Sequence, residues 1–198
     1  MPSRFPAAMM ALVSAAVLGC PALADDAPLE DLLRRDRLDW IEAAKAEGRS
    51  GLARKTRPVD ARPALLGEIV VTRIKGQGVE TRSKPGAQGD MVVRNRCDAS
   101  GNEEILVSAE KFPSRYGDPM GPADEAGYRE YRPSGAEMIY AIVPEADGSF
   151  AIEAPWGELQ RVMPGDAIVQ IPEDPTDTYR IERRAFDCTY EVILPAGG

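Results

Sequence analysis

The chain has 198 residues, with 24 basic and 32 acidic side chains, a formal net charge of −8 and no histidine. An acidic chain repels nucleic-acid phosphates unless a concentrated basic patch overcomes the global field, so nucleic acid is excluded as the expected partner. The lack of histidine removes Ser-His and Cys-His nucleophile activation and histidine ligation of zinc.

Residues 1–24 have the parts of an export signal: Arg4, an apolar stretch from Ala7 to Leu18, and Ala22-Leu23-Ala24 as a cleavage site. The apolar stretch is shorter than the roughly 20 residues that a spanning helix needs, which predicts a periplasmic or secreted protein cleaved after Ala24. A second reading takes Val17-Leu18-Gly19-Cys20 as a lipoprotein box, with the mature chain anchored through acylated Cys20. Beyond this segment only Cys97 and Cys188 remain. In an oxidising compartment they are expected to form a disulfide, and closing a loop of that length would stabilise the fold by about 4–5 kcal/mol. Neither belongs to a Cys-x-x-Cys motif, so the expected role is structural.

Residues 25–66 read as an amphipathic helix followed by a basic linker. Asp26 is the expected cap and Pro28 suits the first turn; Leu29, Leu32, Leu33, Trp40, Ile41 and Ala44 share one face before Gly48 ends the pattern. Asp36 and Arg37 interrupt this stripe. Residues 48–66, with Arg49, Arg54, Lys55, Arg57 and Arg62, lack apolar periodicity and are expected to be extended linker. The helix is expected to pack on the β body, with docking on a partner or on a membrane surface as the alternatives.

Residues 67–116 form the first expected β unit. It comprises a β-branched strand over 68–75, the Gly76-Gln77-Gly78 hairpin signal, strands at 79–82, 91–95 and 104–108, and a short helical turn limited by Pro113. Residues 117–135 are rich in Gly and Pro and read as an irregular connection. Residues 136–198 form the second unit, with strands predicted at 137–143, 149–153, 158–163, 167–171, 178–182 and 189–194 and a helical turn at 183–187. Many short strands between regularly spaced turns predict a mainly β (α+β) chain: two tandem β-barrel or sandwich-like repeats behind an N-terminal helix.

The repeat is read from paired motifs. Gly89-Asp90-Met91-Val92-Val93 leads to Phe112 and Tyr116, while Gly165-Asp166-Ala167-Ile168-Val169 leads to Phe186 and Tyr190. Glycine at positive φ followed by an Asp that accepts backbone N–H groups assigns Gly89, Asp90, Gly165 and Asp166 to turns. Together with Arg54-Lys55-Thr56-Arg57-Pro58 and Glu110-Lys111-Phe112, these motifs resemble a small uncharacterised module of phage and bacterial proteins. That module has a basic Arg-Lys-Pro opening, a Pro-Gly-Asp-Trp-Ile-Val strand and a Phe-x-x-x-Tyr close. Met91 and Ala167 stand where it has Trp. The resemblance implies a fold and no activity.

Asp90 and Asp166 are the symmetric candidates for a carboxylate acid/base pair, and on that alternative the protein is a hydrolase of wall polysaccharide or another envelope substrate. The acidic turns 98–104 and 173–177 lack EF-hand ligand spacing, so no metal and no cofactor is expected. Recognition is expected instead at Tyr128, Arg129, Tyr131, Arg132 and Trp156, since Tyr, Trp and Arg anchor interfaces. The leading expectation is therefore a non-enzymatic binding module of the cell envelope. A membrane-peripheral factor that uses the N-terminal helix is a further alternative.

Overall fold

The computed structural model describes residues 27–197. The expected signal, Cys20 and Asp26 lie outside these residues. The chain is mainly β. Its elements run α1 Arg37–Ala46, β1 Ser50–Lys55, β2 Val59–Pro63, β3 Val71–Ile74, β4 Gly78–Arg82, β5 Met91–Asn95, β6 Glu104–Val107, α2 Phe112–Arg115 and β7 Tyr116–Pro119. They continue with β8 Arg129–Pro133, β9 Glu137–Ile142, β10 Phe150–Glu153, β11 Leu159–Val162, β12 Ala167–Ile171, β13 Asp174–Ile181, α3 Arg183–Thr189 and β14 Tyr190–Leu194.

Two five-stranded antiparallel sheets dominate. Sheet I has the order β6-β5-β2-β8-β7, sheet II the order β13-β12-β9-β1-β14, and β3-β4 and β10-β11 are separate hairpins. The sheets exchange strands. From β1, inside sheet II, the chain passes through residues 56–58 to β2 in sheet I; from β8, inside sheet I, it passes through residues 134–136 to β9 in sheet II. Neither sheet closes, so the barrel expectation is corrected: both are open, with edge strands β6 and β7 in one and β13 and β14 in the other.

The linker expectation is corrected too, because residues 50–55 and 59–63 are interior strands. Their burial alternates as in a strand, with Ala53, Val59 and Ala61 at 1% exposure or less. Small apolar residues between long charged ones carry that alternation. Arg129–Pro133, expected within the irregular connection, is the interior strand β8.

The helix is shorter than its apolar stripe suggests. Asp36 is the cap: its carboxylate accepts from Leu38 N and Asp39 N at 2.8 and 3.0 Å, and helix begins only at Arg37. Upstream, a single 3₁₀ turn at Leu29–Asp31 gives way to extended chain that pairs with Ala151, so Leu32 is buried and Leu33 exposed. Trp40, Ile41 and Ala44 then pack with Ala141, Val143, Phe150, Ile152, Val162 and Ile168, covering the outer face of sheet II. On that sheet's other face, Ala53, Met138, Tyr140, Ala167 and Val169 pack against Phe186 of α3. Sheet I has its own core of Val59, Ala61, Val93, Val107 and Tyr116, with Phe112 and Tyr131 against it.

Candidate functional site

On sheet I the strand alternation that buries Val59, Ala61 and Val93 turns Asp60, Arg62, Arg94, Glu104, Glu130 and Arg132 to the opposite face, and α1 does not reach it. Asp60 on β2 is the hub. Arg96 donates to its carboxylate from Nη2 and Nε at 2.6 and 3.1 Å, Arg94 donates at 3.2 Å, and Arg96 also reaches Glu130 at 3.1 Å. Burial alone would raise Asp60, but its hydrogen bonds and charge attraction with the two guanidiniums hold it below its ordinary value. Beside the hub, the guanidiniums of Arg94 and Arg62 lie over the Tyr128 ring, 4.2 and 5.4 Å from its centre, and Tyr128 donates to Glu104 at 2.5 Å. Burial, then the bond to Glu104, raises the phenol. Arg62 makes a bidentate pair with Glu68 at 2.6 and 3.0 Å, which with Leu65 N pulls that carboxyl down to about 2.

Two adjoining clefts open on either side of the Asp60–Arg96 pair. One, of about 430 Å³, lies between that pair, Tyr128, Glu130 and the 120–124 segment. The other, of about 420 Å³, is lined by Arg57, Arg94, Asn95, Arg96, Asp98 and Asn102. The groove they form is lined by carboxylates and guanidiniums together. Its chemistry suits recognition of a charged segment.

The five residues expected to form a contact patch are not gathered. Tyr128 is in the groove, 7% exposed. Tyr131 points to the other face and packs edge-on against Phe112 at 5.1 Å, because β8 is a strand and alternation separates the two tyrosines. Arg129 and Arg132 are exposed on opposite faces of β8. Trp156 is half-exposed in the turn between β10 and β11, 6.1 Å from Tyr179. Asp60, Arg94, Arg96 and Glu130 escaped the sequence reading. Their signal is the alternation of charged with buried uncharged residues in Val59-Asp60-Ala61-Arg62 and Val93-Arg94-Asn95-Arg96, legible once both segments are known to be paired.

Both candidate catalytic aspartates are engaged in turns. Gly89 and Gly165 have φ of +87° and +89°. Asp90 accepts from Ala87 N at 2.9 Å and Ala109 N at 3.0 Å; Asp166 accepts from Met163 N at 2.8 Å, Arg183 N at 3.0 Å and Arg180 Nε at 2.8 Å. Neither lines either cleft. Cys97 and Cys188 are free thiols. Among the described residues no cluster of His, Cys, Asp or Glu is arranged to hold a metal ion.

No family model, curated protein or solved structure matches this chain. Among the described residues no helix is long and apolar enough to cross a membrane.

Proposed function

We propose that this protein is a non-enzymatic binding module of the cell envelope, built from a duplicated β unit, that holds a charged segment of a partner protein across the open face of sheet I. The duplication is supported by the correspondence of the two sheets, in which β6-β5-β2-β8-β7 matches β13-β12-β9-β1-β14 position for position. It is supported again by the paired Phe112–Tyr116 and Phe186–Tyr190 ring contacts, at 5.0 and 5.2 Å. On this reading each unit lends its first strand to the other.

The observation that carries the functional reading is the difference between two equivalent faces. On sheet II the outer face carries Ala141 and Ile168 beneath Trp40 and Ile41 of α1, together with Gln170, Thr178 and Arg180, and all of these are buried. On sheet I the matching strands β2, β5 and β8 carry Asp60, Arg62, Arg94 and Glu130 beside buried Val92, and two clefts open at Asp60, Arg94, Arg96 and Glu130. These pairs are partly buried, with 18–38% of their side chains exposed, and they leave guanidinium and carboxylate edges on the two clefts for a partner segment to engage. The engaged turn aspartates favour this reading over a carboxylate hydrolase.

A photo-crosslinking side chain at Arg132, beside the groove, tests it, with the same group at Glu145, in the 3₁₀ turn between β9 and β10, as control. A single captured protein is expected at position 132 and not at 145, with capture lost in Arg96→Glu at unchanged Tm. Equal capture at both positions, or capture indifferent to Arg96→Glu and Glu130→Arg, would overturn the reading.

A further inference from the structure

We infer that Cys97 and Cys188 form a reactive dithiol that an external disulfide closes into an intramolecular bridge, with Cys188 as the entry sulfur, Cys97 as the resolving sulfur and Arg57 as the positioning cation. Cys97 lies in the turn that follows β5 of sheet I, and Cys188 lies on α3, ahead of β14 of sheet II. Their side chains cross. Cys97 Sγ is 3.6 Å from the carbonyl oxygen of Arg184 on α3, while Cys188 Sγ is 3.9 Å from that of Arg96, next to Cys97. Each thiol thus lies against the backbone of the other's segment.

The surroundings give the two sulfurs different roles. Cys97 is 1% exposed, in a turn fixed by three donors to its carbonyl: Ser100 Oγ at 3.1 Å, Gly101 N at 3.0 Å and Asn102 N at 2.9 Å. Cys188 is half-buried, and Arg57 Nη1, from the connection between β1 and β2, is 3.2 Å from its sulfur. An incoming disulfide therefore meets Cys188 first, where the Arg57 guanidinium offsets part of what burial costs its thiolate. Burial would raise the Cys97 thiol, but hydrogen bonds from Cys188, Ser100 and the 99–100 backbone outweigh it and hold Cys97 below its ordinary value. Burial, with the bond to Cys97, pushes Cys188 up to about 11. Once Cys188 is capped its bond to Cys97 is gone, and Ser100 and the 99–100 backbone remain to stabilise the Cys97 thiolate.

The step balances as thiol–disulfide exchange. Cys188 loses its proton to solvent and attacks one sulfur of an oxidised low-molecular-weight or protein disulfide, expelling the first donor thiolate. Cys97, deprotonated, then attacks Cys188 Sγ and expels the second. The protein loses two hydrogens as two protons and two electrons, and the donor is reduced to two thiols. The closed bridge ties the 96–102 turn to α3. This device is independent of the proposed partner groove, although Arg57 borders both.

The test uses the reduced chain from residue 25 and oxidised glutathione as the probe. The expected product is a monomer lighter by two hydrogens, with no thiol open to maleimide and a Tm raised by about 10 °C. Cys97→Ser is expected to stop at a stable mixed disulfide on Cys188, whereas Cys188→Ser leaves Cys97 slow to react. Arg57→Gln is expected to slow the first exchange by about tenfold without changing the final product, and Arg57→Lys to restore most of the rate. Equal reactivity of the two single variants, a covalent dimer as the main product, or an unchanged rate in Arg57→Gln would overturn the inference.

Discussion

Asp90 and Asp166 occupy the same turn position and do the same local work, yet they differ in what lies behind them. Asp90 receives two backbone N–H groups. Asp166 receives two as well, and in addition pairs with Arg180, whose side chain is 1% exposed and also bonds Glu80 and Gln77. Removing the carboxylate at Asp90 strands only neutral donors, at about 1–3 kcal/mol. At Asp166 it strands a buried cation as well, and the cost rises to roughly 3–5 kcal/mol. Asp166→Ala is thus expected to lower the urea midpoint clearly more than Asp90→Ala. Equal losses would show that Glu80 and Gln77 alone satisfy Arg180.

At the scale of elements, β1 shows how one small residue admits a neighbour. Gly51 lies between β9 and the end of β14, and a Cβ there would come 2.2 Å from Leu194 O, 2.7 Å from Ala196 N and 2.7 Å from the Tyr140 ring. Two of these atoms are backbone and cannot swing away. Gly51→Ala is therefore expected to push β14 off the edge of sheet II at a cost of about 1–3 kcal/mol. Faster amide exchange confined to residues 190–196 is the measurement that checks it; exchange spread evenly over sheet II would mean that the strain is shared instead. The short helix is likewise an element-scale outcome, because Asp36 satisfies the first N–H groups of α1 while residues 33–35 pair with Ala151 on β10.

For the molecule as a whole, the pairing of β1 makes the N-terminal region part of sheet II, whose other strands all come from residues 137–194. β1 pairs with β9 and β14, not with β2, its neighbour in sequence. Polar contacts reinforce the link: Arg115 of α2 meets Asp177 of β13 at 2.6 Å, and Lys55 bonds Asn95 across the seam. A chain that begins at Arg57 loses an interior strand of sheet II and leaves β14 without a partner. It is expected to lose cooperative unfolding in sheet II while sheet I, whose five strands all follow residue 58, retains its β signal. Residue-resolved hydrogen exchange distinguishes this from simultaneous loss of both sheets, which would mean that the halves do not fold separately.

Much of the strand pattern was legible locally. Gly89-Asp90 and Gly165-Asp166 announce their turns because positive φ and a short carboxylate are requirements of the backbone within a few residues. The strands at 91–95, 137–142 and 167–171 follow from β-branched and apolar side chains that are buried in any pairing. Residues 50–63 gave no such signal. Alanine and glycine have little strand preference of their own, and only the space between β9 and β14, or between β5 and β8, makes them strand residues. For the same reason the patch proposed from Tyr128 and Tyr131 was dispersed, and the groove at Asp60, Arg94, Arg96 and Glu130 emerged instead. Local chemistry determines where a chain bends and which side chains need burial; which strand lies beside which is decided by long-range pairing, and with it which charges share a face.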